Sequence, residues 1–197
     1  EDGLHIEDAL RISNGGDMEE SSLFQKGCFT VQGESSMLVS HIVNPQPGET
    51  ILDTCSAPGG KAIHMAELMK GRGKVIAWDI HSHRVELVER NCVRMGAEIV
   101  KPYLVDASVP NSAWNNKFDR VLIDAPCSGL GIVYKKPDIK LNISTKSLQE
   151  LPKLQAKILS ACSSYVKPGG VLVYSTCTIN SDENEKIIDA FLADNFE

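Results

Sequence analysis

The chain has 197 residues, of which 42% are hydrophobic and 23% charged, with a formal net charge of −6 at pH 7; this is the composition of one globular domain. No apolar run approaches the roughly 18 residues that a membrane span needs, and no secretory leader opens the sequence, so we expect a cytoplasmic protein without membrane association. Its six cysteines form no C-x-x-C pair, which argues against a zinc knuckle or a disulfide scaffold, and we expect reduced thiols and no metal.

The first half of the chain alternates strand and helix patterns. An extended opening at residues 4–12 leads into a turn-rich segment at residues 13–17. A strand, a helix, a second strand and a second helix are then predicted at residues 50–53, 61–69, 74–78 and 84–95. Gly96 follows the second helix, as glycine commonly does where a helix ends.

The second half continues the alternation. Three further strands are predicted at residues 99–105, 118–123 and 171–174. Between the last two, a helix is predicted to begin near Pro152, because proline suits the first turn of a helix, and to stop at Pro168. The residues expected on its inward face are Leu154, Ile158, Cys162 and Tyr165. A last helix is expected after Ser181, and its first turn carries Asp182, Glu183 and Glu185, where the helix dipole favours negative charge.

Strands that alternate with helices at this spacing predict an α/β fold with a doubly wound, mostly parallel, Rossmann-like sheet. Such a sheet binds its ligand in the crevice beyond the carboxyl ends of its strands. The candidate site residues are therefore those that follow the strands: Asp53 to Lys61, Asp79, Asp106, Asp124 to Cys127, and Thr176 to Cys177.

The loop at residues 53–61 is rich in glycine and opens a helix, so its backbone N–H groups can approach a carboxylate. It lacks the G-x-G-x-x-G pattern of dinucleotide-binding loops. Asp79 ends the second strand, where an acid can accept hydrogen bonds from both hydroxyls of a ribose. A single aspartate at such a position is most often a loop residue or a helix cap, but four at successive strand ends indicate a site.

Cys127 and Cys177 follow adjacent strands and are expected to face one crevice. A thiolate there can add to carbon 6 of a cytosine and make carbon 5 nucleophilic enough to accept a methyl group. A hydrogen bond to the ring would stabilise the charge that develops. The alternative is that both cysteines are inert core residues.

The charge is unevenly distributed along the chain. Residues 1–34 contain eight acidic and two basic residues, whereas residues 129–167 contain seven lysines against Asp138 and Glu150. We expect the lysine-rich segment, above all Lys135, Lys136 and Lys140, to meet nucleic-acid phosphates. A solvated helix face is the alternative.

Three segments in order, LDTCSAPGGK at residues 52–61, DAPCSG at 124–129 and YSTCT at 174–178, resemble the Sun (RsmB/Fmu) family of RNA 5-methylcytosine methyltransferases. The similarity runs from about residue 27 to the end of the chain. The segments PDIK at 137–140 and DENE at 182–185 point to the bacterial branch, which modifies small-subunit ribosomal RNA.

The resemblance implies S-adenosylmethionine as cofactor, RNA as substrate and a role for each site residue. Cys177 would be the nucleophile and Cys127 would assist product release, with Asp124 and Lys61 beside the target base and the methyl donor. For the cofactor, the implied contacts are Asp79 and Arg84 to the ribose, Asp106 to the adenine, and the backbone of Ser56, Ala57, Pro58, Gly59 and Gly60 to the methionine end. We expect the protein to act as a monomer.

Two departures from the family pattern stand out. Family members usually read Val-Gln-Asp where this chain has Val31-Gln32-Gly33. The final hairpin of the fold and the family's amino-terminal RNA-binding module are not in the sequence, which opens with Glu1 and suggests an excised catalytic-domain fragment. We therefore predict an amino-terminal extended segment or remnant of a preceding domain at residues 1–34, and a catalytic domain at residues 35–197.

Two other functions remain open at this point. An NAD-dependent dehydrogenase would use a similar sheet, but the missing G-x-G-x-x-G pattern and the two strand-end thiols disfavour it. A non-catalytic module that has kept the cofactor pocket is the second alternative, and the presence of both cysteines argues against it.

Overall fold

Five strands form one sheet at the centre of the computed structural model, which describes residues 1–13 and 16–195. The strands are β1 (Thr50–Asp53), β2 (Lys74–Asp79), β3 (Val100–Leu104), β4 (Phe118–Asp124) and β5 (Val166–Ser175). They lie in the order β3-β2-β1-β4-β5, and each neighbouring pair is parallel. This confirms the predicted doubly wound parallel sheet.

The described residues also form seven α-helices. They are α1 (Ser22–Gln25), α2 (Glu34–Val43), α3 (Gly60–Leu68), α4 (Ser82–Met95), α5 (Ile139–Asn142), α6 (Thr145–Ser163) and α7 (Glu185–Asn195). One apolar cluster joins α2, α3 and α4 to one face of the sheet, and a second joins α6 and α7 to the other face. With both faces covered, strands β1 and β2 are almost continuously buried, as parallel strands between two helix layers are. No helix in the described part of the chain is long and apolar enough to span a bilayer.

Helix α6 differs from the prediction at both ends. It begins at Thr145, because the side chains of Ser144 and Ser147 cap each other's backbone N–H groups, and Pro152 therefore lies inside it. A proline there gives up one backbone hydrogen bond, a cost that the capped first turn and the long buried face outweigh. The helix ends at Ser163, and Pro168 lies within β5, where the pairing with β4 shifts register.

The inward face of α6 is also offset from the predicted one. Ile158, Cys162 and Tyr165 are buried as expected, but Tyr165 follows the helix and Leu154 is 36% exposed. The fully buried residue at this end of the helix is its polar neighbour, Gln155. The buried face is offset because positions 155, 158, 159 and 162, at three- and four-residue intervals, lie on one side of the helix.

The last predicted helix is two elements. A 3-10 helix, Ser181–Glu183, precedes α7, and Glu183 is fully buried rather than in a solvated first turn. Part of the turn predicted at residues 13–17 lies outside the described residues.

The first 13 residues fold back on the domain. Asp2 and Leu10 form an antiparallel bridge, and Ile6 and Ala9 are buried. The carboxylate of Asp8 lies 3.0 Å from Nε2 of His41 in α2 and 2.9 Å from Nε2 of His64 in α3. These contacts attach the opening segment to α2 and α3. The boundary between residues 34 and 35, which separates this segment from the catalytic domain, stays a prediction.

Candidate active site

The candidate site lies at the carboxyl edge of the sheet, where the strand order reverses between β1 and β4. Open parallel sheets bind ligands at this switch point. Asp53 ends β1 and Asp124 ends β4, while Cys127 and Cys177 follow β4 and β5. The strand order therefore confirms the prediction that these residues lie at one edge of the sheet.

The loop after β1 is held in a tight turn. Ser56 donates hydrogen bonds from its backbone N–H and its hydroxyl to the carbonyl oxygen of Trp78, at 2.8 and 3.0 Å. Gly59 has a φ of +102°, and a Cβ there would lie 3.2 Å from Cγ1 of Val88. A glycine is therefore required at this position, and α3 begins directly after it with unpaired N–H groups at its first turn.

Asp79 and Arg84 are joined to this loop. The Asp79 side chain is 3% exposed, and it accepts a hydrogen bond from the His81 N–H at 3.1 Å. Arg84 lies 3.4 Å from the other carboxylate oxygen of Asp79 and donates to the carbonyl oxygen of Ala57 at 3.1 Å. The second strand end and the glycine-rich loop thus form one wall of the crevice.

Asp106 stands apart from that wall. Its carboxylate accepts hydrogen bonds from the backbone N–H and the hydroxyl of Ser108, at 2.9 and 2.7 Å. Within residues 1–13 and 16–195, no hydrogen bond or ion pair joins it to the other candidate residues. Its predicted contact with an adenine stays a prediction.

Lys61 and Asp124 connect α3 to the end of β4. Lys61 Nζ lies 2.6 Å from Oδ2 of Asp124, and the Ser175 hydroxyl donates to Oδ1 at 2.8 Å. Both charged side chains are largely buried, at 18% and 27% exposure. The pair therefore holds an oriented positive and negative charge beside the two cysteines.

Asp53 ends β1 beside this ion pair, and the pKa of its carboxyl group is shifted. Burial, together with the negative charge of Asp124, raises its pKa to about 7. Both carboxylate oxygens are buried and have no hydrogen-bond partner in the described part of the chain. A buried carboxyl group without partners beside a glycine-rich loop fits a site completed by a bound ligand or water.

The two thiols are in contact. The Sγ atoms of Cys127 and Cys177 lie 3.2 Å apart, and the Cys177 N–H lies 3.3 Å from Sγ of Cys127. A hydrogen bond from the Cys127 thiol lowers the pKa of Cys177 to about 7, and Lys61 favours the same thiolate. That hydrogen bond and burial raise the pKa of Cys127. Cys177 is therefore the more acidic thiol of the pair, and its side chain is exposed.

Three other cysteines are unsuited to such chemistry. Burial raises the pKa of Cys55 and of Cys162 to about 12, and that of Cys92 to about 11. They remain thiols at neutral pH and behave as small apolar side chains.

Sequence reasoning missed the residues that hold the two cysteine loops together. Glu183 accepts hydrogen bonds from Ser128 and Gln155, and Gln155 also donates to the carbonyl oxygen of Pro126 at 2.9 Å. Gly131 donates its N–H to the carbonyl oxygen of Cys177 at 3.0 Å. The one available signal was a polar residue, Gln155, at the start of the apolar stripe of α6.

The lysines after the first cysteine loop are on the surface. Lys135, Lys136 and Lys140 are exposed, near the short helix α5. A Cβ on Gly33, the capping residue of α2, would lie 2.9 Å from Nζ of Lys135. A larger side chain at this position would therefore meet Lys135.

Comparison with known proteins gives the family. Residues 40–197 match the family model described as 16S rRNA methyltransferase RsmB/F. A Bacillus subtilis (strain 168) protein, named probable ribosomal RNA small subunit methyltransferase B, is 42% identical over 193 residues, which are 98% of this chain and 43% of that protein. The human tRNA (cytosine(72)-C(5))-methyltransferase NSUN6 is 40% identical over 173 residues, which are 79% of this chain and 35% of that protein.

A solved structure agrees with these relatives. The crystal structure of NSun6 from Pyrococcus horikoshii with SFG is similar with a TM-score of 0.80 and 32% identity, over 90% of this chain and 45% of that chain. The chain spans less than half the length of each of these relatives. Because the family model matches well over half of the residues and the relatives are about 40% identical, the chain belongs to the 16S rRNA methyltransferase RsmB/F family.

Proposed function

We propose that this chain carries the catalytic domain of an enzyme that transfers a methyl group from S-adenosylmethionine to carbon 5 of a cytosine in RNA. The observation that carries the proposal is the pair of thiols 3.2 Å apart at the ligand-binding edge of the sheet. The names of the relatives, ribosomal RNA small subunit methyltransferase B and a tRNA cytosine C(5) methyltransferase, support an RNA substrate. The bacterial relative makes small-subunit ribosomal RNA the first substrate to test.

The crevice fits the proposed cofactor, which supplies a methyl group on a sulfonium. Asp79, with Arg84 against it, would bind the ribose hydroxyls, and the backbone of residues 56–60 would bind the methionine end at the start of α3. Asp53 has unpaired carboxyl oxygens nearby, as expected where a ligand completes the site. Asp106 would bind the adenine.

The two cysteines would act in succession. The Cys177 thiolate adds to carbon 6 of the cytosine, and the electron pair that this delivers to carbon 5 takes up the methyl group. The carbon 5 proton then passes to solvent water, and the electron pair of that C–H bond re-forms the ring double bond as the bond to Cys177 breaks, which restores the thiolate and the aromatic ring. Cys127, in contact with Cys177, assists this second half of the reaction.

Lys61 and Asp124 would stabilise the cytosine ring during these steps. Their ion pair, 2.6 Å long, would supply the hydrogen bond to the ring that offsets the charge that develops when the thiolate adds. The exposed lysines at residues 135, 136 and 140 would bind phosphates on either side of the target. In this proposal residues 35–197 form the catalytic domain, and residues 1–34 the segment that precedes it.

The test separates the two cysteines by the fate of the covalent adduct. The complete gene product is incubated with labelled ribosomal RNA and S-adenosylmethionine and run on a denaturing gel. Cys177→Ala should give neither methylation nor adduct, whereas Cys127→Ala should give no turnover but accumulate a denaturation-resistant protein–RNA complex. Both variants should bind S-adenosylhomocysteine normally, which serves as the folding control. An adduct that accumulates in Cys177→Ala would reverse the two roles.

A further inference from the structure

Glu183 is a buried anion whose position the proposed chemistry does not by itself explain. Its side chain has no solvent exposure. Burial opposes its ionisation, yet the hydrogen bonds from Ser128, Gln155 and Asn180 hold the pKa of its carboxyl below the usual range. No lysine, arginine or histidine pairs with it among residues 1–13 and 16–195. A buried charge balanced only by neutral donors is costly, and such an arrangement is retained where it has a task.

The carboxylate of Glu183 accepts hydrogen bonds from both loops that carry the thiols. From the first cysteine loop it accepts hydrogen bonds from the backbone N–H of Ser128 at 2.8 Å and from the Ser128 hydroxyl. From its own loop it accepts one from the Asn180 side chain at 3.0 Å. Ser128 directly follows Cys127, and Asn180 is three residues after Cys177. One carboxylate therefore joins the two loops that carry the thiols.

Two further contacts strengthen this connection. Gln155 donates from one nitrogen both to Glu183, at 3.0 Å, and to the carbonyl oxygen of Pro126, at 2.9 Å, so the residues before and after Cys127 are both held. The hydroxyls of Ser128 and Thr178, the residues that directly follow the two cysteines, lie 2.8 Å apart. Without Glu183, the Ser128 N–H and the Gln155 amide would lose an acceptor, and the first cysteine loop would be free to move.

We propose that Glu183 is a positioning residue that keeps Sγ of Cys127 within hydrogen-bond reach of Cys177. The inference rests on the proposed function in one respect, since it takes the two thiols as the reacting pair. The sulfur atoms are 3.2 Å apart, so a loop displacement of about 1 Å is enough to lose the hydrogen bond. The Cys177 thiolate would then lose its main source of stabilisation, although Glu183 itself does not touch the substrate.

The experiment measures the thiolate of Cys177 directly. Alkylation by iodoacetamide is followed by peptide mass spectrometry from pH 5.5 to 10, without RNA or methyl donor, in the complete gene product carrying Cys28→Ser to remove an exposed thiol. With Glu183 in place, the rate should rise with a midpoint of about 7. Glu183→Gln should move the midpoint up by about one unit or more, towards the ordinary cysteine value of about 8.5.

Control variants separate positioning from general stability. Glu185→Gln, an exposed glutamate two residues away, should leave the midpoint unchanged. Cys127→Ala should shift it upward like Glu183→Gln, and the double variant should shift it no further, because both changes remove one and the same hydrogen bond. If Glu183→Gln does not fold, Ser128→Ala, which removes one donor to the carboxylate, should still raise the midpoint.

The result that overturns the proposal is a folded Glu183→Gln protein with a lower melting temperature and an unchanged midpoint. Glu183 would then stabilise the fold without setting the thiol pair. Because no RNA is present, this outcome is distinct from failure of the adduct test, which concerns the methylation reaction itself.

Discussion

Lys61 and Asp124 form an ion pair 2.6 Å long that joins the first turn of α3 to the end of β4. Asp53 lies beside it, where burial and the negative charge of Asp124 raise the Asp53 pKa and the Lys61 charge opposes that rise. Lys61 is therefore the cation that faces two carboxyl groups, those of Asp124 and Asp53, in one crevice. Removing its charge leaves both without their cation.

We expect Lys61→Met to reduce methyl transfer by about 100-fold or more, because both the cofactor crevice and the base site lose an oriented charge that is worth several kcal/mol in a largely buried site. The variant should remain folded, since methionine keeps the length of the side chain. Single-turnover transfer with labelled cofactor measures the effect, and circular dichroism checks the fold. Lys70→Met, on the surface beyond α3, is the matched control. Transfer at the unaltered rate in Lys61→Met would remove Lys61 from the catalytic residues.

The pH dependence of methyl transfer offers a second prediction. The pKa of Cys177 is lowered to about 7, so the thiolate exists above that pH and is protonated below it. The single-turnover rate should therefore rise from pH 6 to pH 8 and level off above. Because the Asp53 pKa is also raised to about 7, the same profile is measured on Asp53→Asn, which cannot titrate at this position. A rise that persists in Asp53→Asn belongs to the thiol, and a rise that disappears belongs to the carboxyl group.

The sequence predicted the strands far better than the loops between them. A short apolar run such as residues 50–53 is stable in this fold only as a buried strand, and β1 spans those same residues. The start of α6 could not be predicted as well, because it depends on the mutual capping of Ser144 and Ser147, and Pro152 was the stronger local signal. Local propensity is a weak prior that tertiary packing overrides.

For the site, the strand-end rule predicted which residues share the crevice but not how they touch. The 3.2 Å contact of the two thiols lies between loops that Glu183 and Gln155 join, and these two residues lie in segments that the sequence predicts as a helix start and a helix face. A buried glutamate and an exposed one look alike in a sequence. Their difference arises only when the donors of Ser128 and Asn180 are brought around the carboxylate.

Asp79 gives a prediction about cofactor affinity. Asp79→Ala should weaken S-adenosylmethionine binding by about 10- to 100-fold, which corresponds to the loss of a charge-assisted contact of about 1.5–3 kcal/mol. Calorimetry with S-adenosylhomocysteine measures the affinity without turnover. Asp182→Ala, an exposed acid far from β2 in the chain, controls for the change in net charge. Equal affinity in Asp79→Ala and the unchanged protein would exclude the ribose assignment.

The lysine-rich surface gives the last prediction. Lys135 and Lys136 are exposed and follow Cys127 by eight and nine residues, so we expect them to meet RNA that reaches the proposed base site. Each phosphate that a lysine neutralises on single-stranded RNA releases counterions and contributes about 0.7 to the slope of log affinity against log salt concentration. Lys135→Gln with Lys136→Gln should therefore weaken RNA binding and flatten that slope by about 1.4, while the affinity for S-adenosylhomocysteine stays the same.

Lys146→Gln with Lys157→Gln removes the same charge from exposed positions in α6 and should flatten the slope less. Filter binding at several salt concentrations distinguishes the two pairs. If both pairs flatten the slope equally, the segment acts only through net charge, and the RNA path must be sought elsewhere on the surface.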